Sequence, residues 1–179
     1  MKTRRTVITS TIGYMCFALT GWMLLMPNAG WYHESVYPHS QSLLYPLAIL
    51  IAVMGILAYV ADDTLDAIVF FGGAGLMWAQ YLLERSHLME PSSFAGWYSL
   101  VWAVFFCYVW LASFKAGGGR VLFLLGLWLT LLAFAISGWM HNNHFFDVLA
   151  GYIGLATSVL AAFVSATSVI GHASPPETA

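Results

Sequence analysis

The residues best suited to chemistry gather in one segment, His141-Asn142-Asn143-His144-Phe145-Phe146-Asp147, where potential ligands fall at i, i+3 and i+6. On a helix that spacing suits zinc or copper. Read as a polar loop, the same segment supplies an N-cap for the helix that follows, and no metal is assigned to it. His33, His39 and His87 also lie between apolar runs, close in sequence to Glu34, Glu84 and Glu90. Asp66 and Asp147 each stand at the start of an apolar run, where a carboxylate caps a helix and complements its dipole. Cys16 and Cys107 lie inside apolar runs, form no CxxC pair, and read as reduced packing residues.

The elements that must position these groups are set by composition. Of the 179 residues, 60% are hydrophobic and 8% charged, with a mean hydropathy of +0.78. Soluble domains carry about a quarter charged residues, and a third of that cannot cover a water-facing surface. Soluble enzymes, disordered chains and nucleic-acid binders are thereby excluded, and the net charge of −2 offers no basic patch. Six stretches reach the ~20 apolar residues that cross a bilayer: Val7–Met26, Leu43–Ala61, Leu65–Leu83, Phe94–Phe114, Val121–Met140 and Phe145–Ile170. Pro27-Asn28-Ala29-Gly30, Glu90-Pro91-Ser92-Ser93 and Gly117-Gly118-Gly119 punctuate them. The runs do not alternate as barrel strands would. The expectation is an all-α, single-domain bundle of six transmembrane helices, with 172–179 as a disordered tail.

Lys2, Arg4, Arg5, Lys115 and Arg120 fall on one side of six alternating spans and Arg85 on the other. The positive-inside rule then makes both termini cytoplasmic, in a multi-pass protein of the inner (plasma) membrane. The first span lacks a small-x-small cleavage site and reads as a membrane helix rather than a signal peptide. His33, His39, His87, His141 and His144 become external, where imidazoles titrating near neutral pH would gate the protein.

No ionisable side chain falls at the centre of a span, so the core proton or sodium relay of an ion-coupled pump is missing. A channel, a facilitator whose substrate carries its own proton, or a non-transporting subunit fits better. In the sixth span Ala150, Gly154, Ser158, Ala162 and Ala166 repeat every four residues, a stripe for close helix approach within one subunit or between subunits. Gly72-Gly73-Ala74-Gly75 is a second close-approach point, or room for a pore. Trp31, Tyr32, Trp97, Tyr98 and Trp139 sit where interfacial belts are expected. Phe17 lies mid-span beside Thr20, placed either to pack or to form a dewetting constriction.

Ile12-Gly13-Tyr14-Met15-Cys16-Phe17-Ala18-Leu19-Thr20 with Asn28-Ala29-Gly30 is similar to the first helix of the acetate/succinate permease family, the acetate uptake transporters, which the sequence resembles. Trp102-Ala103-Val104-Phe105, Lys115, Arg120-Val121-Leu122 and Leu131-Leu132-Ala133-Phe134 are similar to its fourth and fifth helices. Ala150-Gly151-Tyr152-Ile153-Gly154-Leu155 resembles its sixth, and Asp63-Thr64-Leu65 with Phe70 stands where the family has an Asn-Thr-Phe segment. The resemblance implies a homo-oligomer, a hexamer with one pore per subunit passing acetate or succinate through a ring of phenylalanine, leucine and tyrosine. Phe17 matches the phenylalanine and Leu129 the leucine, while the tyrosine falls on Gly73, a change that would widen or relocate the constriction. The family's Asn-Pro-Ala-Pro-Leu-Gly signature reads Ile8-Thr9-Ser10-Thr11-Ile12-Gly13, and its Tyr-Gly-Gly segment reads Pro46-Leu47-Ala48, with Ile51 in place of the glutamine that follows.

The reading is a channel-like permease for small weak-acid monocarboxylates, proton-linked or passive, with no enzymatic activity, cofactor or metal. The pore constriction is assigned to Phe17, Leu129 and Gly73, and substrate contacts to Thr20, Asn28 and Thr130, lining a path for the neutral acid or for the anion on hydroxyl donors. Asn28 adds an amide donor at the mouth. A channel for another small polar solute such as ammonia or urea, and a non-transporting subunit of a larger complex, are the competing readings. A membrane enzyme or metal handler built on the external histidines ranks behind both.

Overall fold

The computed structural model describes residues 2–31, 44–86, 92–140 and 143–173. It is helical throughout: α1 (Lys2–Leu25), α2 (Leu44–Val60), α3 (Thr64–Arg85), α4 (Ser92–Ala112), a 3₁₀ turn (Ser113–Lys115), α5 (Gly118–Trp139) and α6 (His144–Ala173). Each expected span has its helix. Five are long and apolar enough to cross a membrane, and α2, equally apolar, is shorter at 17 residues. Helix α6 continues to Ala173, so the expected tail from residue 172 begins inside a helix. His33, His39, His87 and His141 lie outside the described residues, and His144 is exposed at the first turn of α6.

Burial runs opposite to that of a water-soluble protein. Tyr59, Val101, Tyr108 and Ile170 are among many large apolar side chains turned outward, while Ser10, Thr20, Asp66, Thr130 and Ser137 are buried. Lipid surrounds such a surface at no hydrophobic cost, and polar groups gather where protein can satisfy them.

The main helix contacts close a ring: α1 packs on α2 and α6, α2 on α3, α4 on α5, and α5 on α6. Between α3 and α4 the backbones stay farther apart, because aromatic rings of α4 fill the space. Phe105 and Trp102 rest over Gly72 and Gly75, where a Cβ would come within 2.4 and 3.1 Å of them. The Tyr98 hydroxyl, also on α4, donates to the Leu76 carbonyl at 2.7 Å. Alternation makes α1, α3 and α5 run the same way, and their inward faces enclose the axis.

Two tight connections fix where these helices start. At the end of α2, Asp62 adopts φ +62°, Asp63 N–H donates to Ala58 O and Asp62 N–H to Tyr59 O, which is a Schellman ending. Asp63 then caps α3, its Oδ1 accepting from Asp66 N–H at 3.2 Å. At α6 the cap is Asn143, whose Oδ1 accepts from Phe145 N–H at 3.0 Å. The capping roles expected of Asp66 and Asp147 therefore belong to Asp63 and Asn143, because each acid sits inside the first turn rather than ahead of it.

The small-residue stripe of α6 is divided. Ala150, Gly154 and Ser158 are buried, Ala162 is half-buried and Ala166 is exposed. Its buried part faces α1: a Cβ on Gly154 would lie 2.3 Å from Leu25 Cδ1, and one on Gly21 would lie 2.3 Å from Ser158 Oγ. This seam joins helices of one subunit.

Candidate functional site

The inward faces of α1, α3 and α5 carry matched residues at steps of three or four, about 5 Å of rise each. At the end where these helices begin stand Ser10, Asp66 and Arg120. One step along come Tyr14, Phe70 and Phe123, and then Phe17 against Gly73. Beyond them the axis opens into a cavity lined in part by Thr20, Met77, Leu127 and Thr130.

The first tier is a charge cluster. Asp66 has no solvent exposure. Its Oδ1 accepts from the Tyr14 hydroxyl at 2.9 Å, and its Oδ2 accepts from the Ser10 hydroxyl and from Arg120 Nη2, the latter at 3.0 Å. Arg120 Nη2 also donates to Ser10 Oγ at 3.3 Å and lies 3.6 Å from Asp63. A buried carboxylate is tolerated when its lone pairs are filled and a counter-charge is near, and both conditions hold here. Arg120 occupies the first turn of α5, where the helix dipole disfavours a cation, and the two carboxylates offset that. The sequence reading placed Arg120 among loop charges and Asp66 as a cap. They instead join three helices.

The second tier is aromatic. Tyr14 meets Phe70 and Phe123 edge-on, with centroids 5.4 and 5.3 Å apart, and Phe17 meets Phe123 at 5.6 Å. All four rings are buried, so the axis is filled here. Tyr14 couples the tiers, its ring in the aromatic layer and its hydroxyl on Asp66. Gly73 leaves no gap: Phe17 Cζ lies 2.0 Å from where a Cβ would stand. Where glycine in place of tyrosine was expected to widen or relocate the constriction, the Phe17 ring occupies the space. Gly13 takes the Phe70 ring in the same way, at 2.2 Å.

The cavity beyond Phe17 measures about 380 Å³ and extends past Thr20 to Asn28 and Asp147. Thr20, Asn28 and Thr130, expected to contact substrate, all line it, as does Phe17. Leu129 does not; it is half-buried on α5, where the lining falls on Phe123, Leu127, Thr130, Leu131 and Phe134. Two residues along a helix turn about 200°, which carries Leu129 off the face that Leu127 presents. Phe123 is the α5 residue that meets Phe17. Tyr98, Asp147, Thr157 and Ser158 line the cavity without having been singled out as lining residues. The signal that identifies the axial residues is the shared register: Ser10, Tyr14 and Phe17 on α1 repeat the spacing of Asp66, Phe70 and Gly73 on α3. Among the described residues no cluster of His, Cys, Asp or Glu has the makings of a metal site.

No protein-family model matches this chain, and no curated protein matches it either. A solved structure, that of the bacterial acetate channel SatP, superposes with a TM-score of 0.80, covering 92% of this chain and 92% of that one at 19% identity. The chain shares the fold of that acetate channel.

Proposed function

We propose that this protein is a channel-like permease for small weak acids, acetate first and succinate next, and a divergent acetate uptake transporter. The observation that carries the reading is the cavity of about 380 Å³ running from Asn28 down to Phe17 along the axis of a ring that shares its fold with an acetate channel. A pocket of that size accepts a two-carbon solute with room to move. Passage requires the Phe17 ring to leave Gly73 and the Asp66–Arg120 cluster to part, so the arrangement described is a closed one, open to the Asn28 end. An ionised carboxylate in such a core costs several kcal/mol, which favours transport linked to a proton. In the cell the protein sits in the inner membrane with both termini cytoplasmic, as a hexamer of independent pores.

The test is acetate-driven acidification of proteoliposomes loaded with a pH dye, wild type against Phe17→Ala, with empty liposomes as baseline because neutral acid also crosses lipid. Flux above baseline that rises in Phe17→Ala is expected. Folded protein giving no excess flux of acetate or succinate moves the assignment to a non-transporting subunit.

A further inference from the structure

The polar side chains deepest in the cavity have their protons committed. Thr20, Thr130, Thr157 and Ser158 each place the hydroxyl 2.7–2.9 Å from a carbonyl four residues earlier in the same helix. A carbonyl only accepts, so each hydroxyl donates to the backbone and turns lone pairs toward the cavity. Tyr98 spends its proton likewise on Leu76 O. Asp147, also in the lining, accepts from Ser137 Oγ at 2.6 Å and adds a carboxylate. No Lys, Arg or His lines the cavity among the described residues. The other polar side chains of the lining are the Asn28 and Gln80 amides and the Ser99 hydroxyl.

We infer that this cavity selects solutes that donate hydrogen bonds and carry no negative charge: the undissociated short carboxylic acid rather than its carboxylate, and equally the corresponding small amide. The inference rests on the weak-acid reading for its acid substrate and extends it to a class that reading does not contain. A carboxylate brings only acceptors and would face lone pairs and Asp147 with its own charge, leaving its oxygens poorly paired. The neutral acid has one O–H to offer and an amide has two N–H, each matched to a threonine or serine oxygen. Hydroxyls arranged as donors would have admitted the anion; committed to the backbone, they exclude it.

Three probes in proteoliposomes separate the outcomes: acetate, acetamide (the uncharged, non-titrating analogue of acetic acid) and methanesulfonate (an anion at every working pH). Acetamide flux above the empty-liposome baseline is expected, unchanged between pH 5 and 7, with methanesulfonate at baseline. Thr130→Val and Thr157→Val keep side-chain shape and remove an acceptor, and each should lower acetamide flux about tenfold. Thr130→Ser keeps the acceptor and should stay within about twofold of wild type, which separates loss of the oxygen from loss of the fold. Methanesulfonate flux, or acetamide at baseline, overturns the inference. Acetate flux with acetamide at baseline leaves the weak-acid reading standing, whereas acetamide flux without acetate flux removes that reading and keeps the donor-selective cavity.

Discussion

Asp66 shows how a single side chain changes meaning between sequence and structure. An acid at the start of a helix is a routine cap, and nothing near it in the chain marks it otherwise. Its partners Ser10, Tyr14 and Arg120 come from two other helices, 56, 52 and 54 residues away, so only the folded ring reveals them. 

Phe17, Thr20 and Asn28 lie in the segment that resembles the family's first helix, and with Thr130 they line the cavity. Leu129 does not: matching a leucine by resemblance ignores the register that turns it away from Leu127. The cluster makes a prediction at this scale. Asp66→Asn removes the main counter-charge of Arg120 and should lower stability by about 2–4 kcal/mol, less than a fully buried pair because Asp63 remains nearby. Adding Arg120→Gln should cost less than the sum of the two single changes, as unfolding midpoints in detergent will show.

At the scale of helices, hydropathy located all six because the bilayer dictates a minimum apolar length, while the starts of α3 and α6 followed caps that lie three and four residues before the acids that drew attention. Which helix each small-residue stripe meets was not legible, since spacing on one helix carries no information about its neighbour. The structure sets Gly154 and Ser158 against α1 and leaves Ala166 exposed. Gly154→Leu should therefore wedge α6 from Leu25 and Thr130 and cost about 3 kcal/mol. Ala166→Leu, on the exposed continuation of the same stripe, should change stability by less than about 0.5 kcal/mol. Thermal unfolding of the purified variants in one detergent compares them directly.

Across the whole molecule, the ring is closed by charge and aromatic packing at the end where α1, α3 and α5 begin, and hollow toward the end where they finish. Resemblance carried the six-helix architecture correctly into a chain only 19% identical to the acetate channel whose fold it shares. It carried only part of the chemistry of the axis: Tyr14, Phe17, Phe70 and Arg120 fall in segments that resemble the family, whereas Ser10 lies within the altered signature and Gly73 stands where the resemblance expects a tyrosine. The central claim is that the cavity is the solute path. In a background of Cys16→Ala and Cys107→Ser, Thr130→Cys places one thiol on the cavity wall. Modification by a membrane-impermeant thiol reagent should abolish the acetate flux of that variant in proteoliposomes, whereas complete modification with undiminished flux would contradict it.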